Sequence, residues 1–438
     1  MNKQYESKII SILNSEMVLA TGCTEPAAIA YAAAVAAKHL KGGAIETISI
    51  SASGNIIKNA MAAGIPGTYY TGVAYAAAIG AIGGDPEKGL QVISDVGKKA
   101  YSEAEDLVKN KKVEVKVSDT SEKLYIDVTV HSCKNSARAV ISGMHTNIVL
   151  IFENGKKVYE SKAGCTAVST IGPDEIASTL SIEKIYKFAD DVDVSSHGLD
   201  IIRQSISVNS KICTEGLKND YGLKIGKLLN EELKDGVIGR DMVSEAVCVT
   251  SAGADARMAG APMGVVSNSG SGNQGITATM PVVAAAEWMD SGNDKTIRAV
   301  TLSNLVAIYI KSKFGRLSAL CGATVAATGA SCGITYLLGG SIRELGYAIQ
   351  NMMGNVAGML CDGAKADCAL KISTCTSAAM QAAFMAIKGV HVRETDGIVD
   401  SNVEKTIDNF TLLGSKGSLT MDSLVLDIML NKTNSNMP

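Results

Sequence analysis

Aromatic side chains are scarce in this sequence of 438 residues, which has one Trp and five Phe beside 43 Gly. A core with so few rings must be packed closely from Ala, Val, Ile, Leu and Met. Such packing brings backbones near one another and near ligands. The length exceeds that of one ordinary domain, so two or more structural units are expected.

Charge of one sign is not in excess either, because 41 Lys and Arg residues stand against 44 Asp and Glu, for a net charge of −3. This balance gives no reason to expect a nucleic-acid or a membrane partner, and small molecules or other proteins remain. Long apolar runs are also missing. Residues 258–286 and 317–342 are uncharged but rich in Gly, Ser and Thr, so neither resembles a span of hydrocarbon.

We expect no export signal either, because Glu6, Lys8, Asn14 and Glu16 interrupt any apolar stretch near residue 1. Ten cysteines in a chain of this length are too few for a disulfide scaffold, and their irregular spacing favours reduced thiols. We therefore expect a cytoplasmic protein.

A zinc-ribbon pattern is absent, since it would need two close CxxC-like pairs. What the sequence does have is a group of distal cysteines, Cys321, Cys361 and Cys368, separated by 40 and 7 residues. They are followed by Cys375 and preceded, far upstream, by an isolated Cys23. The spacing is compatible with an iron–sulfur site of three protein thiolates, in which the remaining iron is a Lewis acid that substrate can reach.

The same cysteines have a second interpretation, because Cys361, Cys368 and Cys375 fall at i, i+7 and i+14. One continuous helix would place them on a single buried stripe as small hydrophobic residues. Spacing alone leaves both interpretations open. The other five cysteines are expected to be buried and reduced: Cys133, Cys165, Cys213, Cys248 and Cys332.

Hydrophobic periodicity changes twice along the chain. Residues 4–19 have helical spacing, and a second helix begins near Pro26, so Cys23 lies at a helix N-terminus, where a thiolate is favoured. From about 45 to 165 the period is two, with a hairpin turn at Asn154-Gly155, and after Pro173 the helical pattern returns. We expect an α+β fold in which residues 1–44 and 166–438 form a mainly α-helical domain and residues 45–165 form an inserted α/β subdomain.

A polar, glycine-rich loop at residues 267–275 runs into a predicted helix. It offers hydroxyls, carboxamides and N–H groups to a small anion such as a carboxylate. It has neither the Gly-Lys-Ser/Thr ending of a P-loop nor the frame of a Rossmann fingerprint, and a structural turn is the alternative. The candidate ligands in this loop are Asn268, Ser269, Ser271, Asn273 and Gln274.

A second polar turn follows a predicted strand, where Asn55, Lys58 and Asn59 are candidates to orient a substrate. Exposed loop polarity explains these residues equally well. His145, alone before a strand, is more often structural, and the histidines do not support a Ser-His-Asp arrangement.

Several of these segments, taken together and in order, resemble the L-cysteine desulfidase family, which is related to the α-chain of iron–sulfur L-serine dehydratases. The resemblance extends from about residue 5 to residue 430. The segments are Thr21-Gly-Cys-Thr-Glu-Pro26, Gly54-Asn-Ile-Ile-Lys-Asn59 with Gly64-Ile-Pro-Gly67, Ser267-Asn-Ser-Gly-Ser-Gly-Asn-Gln-Gly275, and Gly358-Met-Leu-Cys-Asp-Gly-Ala-Lys365 ending in Cys368.

The resemblance implies an oxygen-sensitive 4Fe-4S cluster held by Cys321, Cys361 and Cys368, in a helical catalytic domain. It also implies β-elimination of L-cysteine to sulfide, pyruvate and ammonia at the open iron, with Cys23 beside the substrate as base or as a displaceable fourth ligand. The loop at residues 267–275 is expected to hold the carboxylate, with Asn55 and Asn59 as further substrate-binding candidates. We expect a homo-oligomer acting on a small molecule.

Three alternatives remain open. An iron–sulfur L-serine dehydratase would bind a hydroxyl at the iron instead of a thiolate. A non-catalytic cysteine or redox sensor would bind its ligand without forming pyruvate. A plain helical scaffold with buried thiols would hold no iron.

Overall fold

The computed structural model describes residues 3–161, 171–314 and 318–435. Within these ranges a large helical part is joined to a mixed sheet, which confirms the predicted α+β class. The strands are β1 (Leu19–Thr21), β2 (Thr47–Ala52), β3 (Val113–Val117), β4 (Tyr125–His131), β5 (Ser136–Ser142), β6 (Ile148–Glu153), β7 (Lys156–Glu160) and β8 (Gly264–Val266).

Most of the described chain is helical. The helices are α1 (Lys3–Glu16), α2 (Thr24–His39), α3 (Gly54–Ala60), α4 (Val73–Gly83), α5 (Lys98–Lys109), α6 (Pro173–Thr179), α7 (Ile182–Asp191), α8 (Asp200–Lys218), α9 (Ile225–Lys234), α10 (Met242–Met258), α11 (Gly272–Trp288), α12 (Asn293–Phe314), α13 (Gly322–Leu337), α14 (Ile342–Val356), α15 (Cys368–Ile387), α16 (Val403–Leu412) and α17 (Ser418–Ser435). None of these helices, over the described ranges, has the length and hydropathy that a membrane span requires.

The larger sheet has the strand order β3-β2-β4-β5-β6-β7, and only its β2–β3 pair is parallel. Along β2, Ile48, Ile50 and Ala52 are buried and alternate with more accessible residues, as expected for a strand with one face in a core. The β6–β7 hairpin turns at Asn154 and Gly155, whose φ values are +50° and +77°. The predicted Asn-Gly hairpin is thus confirmed.

The buried face of the sheet is covered by α2 and α4, and together they form one core, called here the sheet core (residues 28–151). A Cβ on Gly80 of α4 would lie 2.2 Å from the Ala30 carbonyl oxygen of α2, so the two helices are in backbone contact. This is the close packing that a chain poor in aromatic residues requires. The predicted helical domain includes residues 1–44, whereas α2 packs on the sheet. The domain boundaries themselves stay a prediction.

A second core, the helical core (residues 9–17 and 176–410), is formed by α1 and by α6 through α16. Its centre consists of α10, α11, α12, α13 and α15, which pack on one another along Ala- and Gly-rich faces.

The two cores meet at short glycine-bracketed contacts. The Gly64 N–H donates to the Met258 carbonyl over 3.2 Å, and the Gly67 N–H donates to the Gly260 carbonyl over 2.9 Å. A Cβ on Gly64 would lie 2.7 Å from the Met258 oxygen, so only glycine fits there. Next to this contact β1 pairs with β8 in antiparallel fashion. The Gly64-Ile-Pro-Gly67 motif is therefore a junction between the cores.

The C-terminal helix α17 supplies a further junction, through Asp422. The Lys58 Nζ lies 2.5 Å from Asp422 Oδ1, and the Lys58 side chain is 3% exposed. Asp422→Asn is expected to reduce the free energy of unfolding by about 2 kcal/mol, because it leaves a buried ammonium without its carboxylate. Chemical denaturation measures this, and the exposed Asp427 on the same helix offers Asp427→Asn as a control. Equal stability of the two variants would contradict a role for the ion pair.

Candidate active site

A cavity of about 460 Å³ lies where the two cores meet. Its lining comes from both of them. Cys23, Glu25, Lys58 and Asn59 belong to the N-terminal segments, and the helical part contributes residues of α10, α11, α12, α13 and α15 and of the loops before α11, α13 and α15. A concave site shared by two structural units is the usual place for a small-molecule ligand.

Four helices begin at this cavity. Cys23 is the N-cap of α2, Ser271 the N-cap of α11 and Cys321 the N-cap of α13, while Cys368 is the first residue of α15. All four residues line the cavity. Helix N-termini carry partial positive charge and unpaired N–H groups, so their convergence favours an anionic occupant.

The three distal thiols share the cavity. The Cys321 N–H donates to the Met359 carbonyl over 2.8 Å, and the Cys361 N–H donates to the Ala319 carbonyl over 2.7 Å. These bonds bring the two thiols into hydrogen-bonding contact, which raises the pKa of Cys321 and lowers that of Cys361. The Cys368 Sγ lies 3.6 Å from the Gly363 carbonyl, and burial raises the pKa of this thiol to about 12.

Cys375 does not belong to this set, because it lies in the helical core with its Sγ 3.4 Å from Met359 Sδ. The interpretation of Cys361, Cys368 and Cys375 as one helical stripe is wrong, since α15 begins only at Cys368 and Cys361 lies in the preceding loop. Of the other cysteines, Cys213, Cys248 and Cys332 are buried as predicted.

The expectation of burial is wrong for Cys133, which is exposed between β4 and β5. There the chain makes a surface turn, which the pattern of the flanking strands does not reveal. Cys165 lies outside the described residues.

Cys23 is 1% exposed and contacts Ala63, Met258, Ala364 and Cys368 in a small apolar cluster. Burial raises the pKa of its thiol, the Arg257 guanidinium lowers it through its charge and a hydrogen bond, and Glu25 raises it. The expectation of a thiolate rested on the helix N-terminus alone. Burial has the larger effect and acts in the opposite direction.

The loop at residues 267–275 reaches the cavity with four of its five candidate side chains: Ser269, Ser271, Asn273 and Gln274. Asn268 is fully buried and does not line the cavity. Its Nδ2 donates to Asn304 Oδ1 over 3.0 Å, and its Oδ1 accepts from Ser269 Oγ and Gln274 Nε2. Asn268 therefore holds the loop in shape.

The two asparagines of the second polar turn separate. Asn59 lines the main cavity and donates from Nδ2 to Glu25 Oε1 over 3.1 Å. Asn55 lies instead in a smaller cavity of about 240 Å³ beside Asp422. The structure thus brings Asn59, but not Asn55, to the distal cysteines.

Five charged residues of the cavity were not among the predicted site residues: Glu25, Glu122, Lys123, Arg257 and Lys311. Arg257 is 5% exposed at the end of the Ala- and Gly-rich α10, and Lys311 is 8% exposed in the apolar α12. Burial lowers the pKa of Lys311 to about 8. Glu25 lies one residue after the helix start. For Arg257 and Lys311 the sequence does contain a signal, which is a charged residue within a helical segment of small and apolar residues.

Comparison with known proteins places the chain among enzymes. A family model described as "Serine dehydratase alpha chain" matches residues 87–427. The chain belongs to this family. The serine dehydratase alpha chain family is one of iron–sulfur lyases, so the chain is a lyase-type enzyme, and the family implies an iron–sulfur cluster.

Curated relatives cover the whole length. The chain is 41% identical over 437 residues to a UPF0597 protein of Porphyromonas gingivalis, covering 99% of this chain and 100% of that protein. It is 42% identical over 432 residues to a UPF0597 protein of Oleidesulfovibrio alaskensis, with 99% and 100% coverage. A UPF0597 protein of Bacteroides fragilis is 42% identical over 435 residues, with the same coverage.

The donor set of this family member fits an iron–sulfur cluster. Over the described ranges, no three His, Cys, Asp or Glu side chains are grouped to hold one metal ion. A cluster does not need such a group, because each thiolate binds a different iron. Soft thiolates are suitable ligands for an iron–sulfur cluster, and three of them, Cys321, Cys361 and Cys368, line one cavity together with the cationic Lys311.

Proposed function

We propose that the protein is an L-cysteine desulfidase, which converts L-cysteine and water into sulfide, pyruvate and ammonia. The observation that carries this proposal is the apolar cluster of Cys23, Ala63, Met258, Ala364 and Cys368, which reaches the wall of the cavity through Cys23, Ala364 and Cys368. Its surface is sulfur-rich and offers few hydrogen bonds. This apolar surface suits a polarizable thiol leaving group better than a hydroxyl, because a hydroxyl that moves against it loses its hydrogen bonds to water.

Cys321, Cys361 and Cys368 would hold the cluster. When bound, a 4Fe-4S cluster with three protein ligands supplies a Lewis-acidic iron that makes a β-sulfur a better leaving group. The remaining steps depend on the protein's own side chains.

Cys23 is proposed to take the α-proton on Sγ. Burial raises the pKa of this thiol, and Arg257 opposes that rise through its charge and a hydrogen bond, so Arg257 is the neighbour that favours the thiolate form required of a base. The N–H groups and hydroxyls at the start of α11, with Ser269 and Ser271 among them, are proposed to bind the carboxylate. The buried walls exclude bulk water while the carbanion is formed.

The test is a comparison of two substrates on protein reconstituted anaerobically with iron and sulfide. We expect L-cysteine to give sulfide and pyruvate in equal amounts, with a kcat/KM at least about tenfold above that for L-serine. The reason is that a pocket matched to a sulfur leaving group discriminates against an oxygen leaving group by about 1–3 kcal/mol. A higher kcat/KM for L-serine would favour the dehydratase alternative. Binding of L-cysteine without pyruvate would favour a sensor, and a colourless, inactive protein would overturn both enzyme proposals.

A further inference from the structure

Two side chains of opposite charge act on Cys23 from within the cavity. Arg257 and Glu25 both line it, and both influence the Cys23 thiol electrostatically, in opposite directions. Neither residue belongs to the glycine-rich loop or to the set of distal cysteines.

Arg257 is fixed in place by neutral groups. Its Nη2 donates to the Gly22 carbonyl over 3.0 Å and its Nη1 donates to Asn273 Oδ1 over 3.1 Å. Gly272 makes room for it, because a Cβ there would lie 2.2 Å from Arg257 Nε. Each Nη carries a second N–H, so donors remain after these bonds are made. A buried guanidinium held by neutral partners is suited to an incoming carboxylate.

Glu25 is also held by neutral donors. Asn59 Nδ2 donates to its Oε1 over 3.1 Å, and Thr24 Oγ1 donates to its Oε2 over 3.1 Å. A carboxylate has about four acceptor positions, so Glu25 can accept more hydrogen bonds from a cation in the cavity.

The other buried cations of the cavity are engaged elsewhere. Lys58 forms an ion pair with Asp422, and Lys311 interacts electrostatically with Cys361 and Cys321. Arg257 is therefore the buried cation best placed, among the described residues, for a carboxylate beside Cys23.

From this arrangement we infer that Arg257, together with the adjacent start of α11, binds the α-carboxylate of a zwitterionic L-amino acid and that Glu25 binds its α-ammonium. Both charged groups are attached to the same Cα, so holding them beside Cys23 brings the Cα–H bond close to the Cys23 Sγ and leaves the β-substituent free to face the distal thiols. Asn273 and Asn59 then orient these two side chains. The inference rests on the proposed function and deepens it by naming the residues that recognise the two charged groups of the substrate.

The experiment uses two truncated thiols and the anaerobically reconstituted full chain, with dissociation constants measured by isothermal titration calorimetry. Cysteamine keeps the ammonium and lacks the carboxylate, whereas 3-mercaptopropionate keeps the carboxylate and lacks the ammonium. Glu25→Gln should weaken the binding of cysteamine about 10- to 100-fold, because one charged hydrogen bond is lost. The dissociation constant of 3-mercaptopropionate should stay within about twofold of its wild-type value. Arg257→Met should show the reverse pattern.

Controls separate recognition from damage to the fold. Glu122→Gln changes an exposed carboxylate of the same cavity and should affect neither ligand. Where Arg257→Met fails to fold, Arg257→Lys, which keeps the charge but loses the fork of donors, should still weaken 3-mercaptopropionate selectively. The inference would be overturned if a Glu25 or Arg257 variant lost affinity equally for both thiol ligands, or lost affinity for neither. It would also be overturned if the wild-type protein bound neither ligand. Turnover of L-cysteine by the wild type decides the proposed function separately.

Discussion

Replacement of any one of Cys321, Cys361 and Cys368 by alanine is expected to leave the anaerobically reconstituted protein without bound iron. The three thiols come from different segments and share one cavity, so each removal leaves only two ligands on its wall. Loss of a Lewis acid removes several kcal/mol of transition-state stabilisation, and turnover should fall by a factor on the order of 10² or more. Iron and acid-labile sulfide per chain, with the visible absorption spectrum, measure the effect.

Two further cysteine variants sharpen this result. Cys375→Ala removes a thiol of α15, the helix that begins at Cys368, but this thiol faces the helical core. The variant should therefore keep both iron and turnover. Cys23→Ala should keep most of the iron but lose turnover, which separates a base from a ligand. Retention of iron by a Cys321, Cys361 or Cys368 variant would remove that residue from the proposed ligand set.

The second large effect is expected from Gly363→Ala, in the loop between Cys361 and Cys368. Gly363 has a φ of +99°, and a Cβ there would lie 2.2 Å from the Lys58 carbonyl oxygen. Backbone strain and the steric clash each cost about 1–3 kcal/mol, so stability should fall by about 4 kcal/mol. Because the loop would have to move away from α3, the variant should also retain less iron after reconstitution. Chemical denaturation and iron content measure both effects.

The matched control is Gly358→Ala, a few residues earlier in the same connection. A Cβ on Gly358 would meet no atom within 4 Å, and its φ does not require glycine. The free energy of unfolding of this variant should be within about 0.5 kcal/mol of the wild-type value, as is usual for surface substitutions. Comparable losses in the two variants would contradict the contact between Gly363 and Lys58.

The features that sequence predicted well depend on local rules. The Asn154-Gly155 turn was predictable because its two residues by themselves favour the positive φ values that a tight hairpin needs. The family resemblance, and not a local rule, leaves Cys375 out of the expected cluster ligands, and in the structure Cys375 lies in the helical core and does not line the cavity. The roles of the cavity thiols stay predictions.

The features that sequence missed depend on distant partners. Asn268 turns away from the cavity because Asn304, 36 residues later, accepts its hydrogen bond. In α2, alanine on nearly every side gives no apolar stripe, so periodicity could not indicate that the helix packs on the sheet. Arg257 is an isolated charge whose importance appears only when the fold brings it next to Cys23, and Glu25, although close to Cys23 in sequence, is positioned by Asn59, 34 residues later.

The bonds that surround the cavity connect remote parts of the chain, and this affects when the site can form. Ser267 Oγ donates to the Val18 carbonyl across 249 residues, and Lys58 pairs with Asp422 across 364 residues. A chain still on the ribosome lacks the α17 contact until Asp422 has emerged, and contacts of such separation form slowly. Closure of the site therefore waits for the synthesis of Asp422, and a protein truncated before Asp422 should leave its thiols open to oxidation.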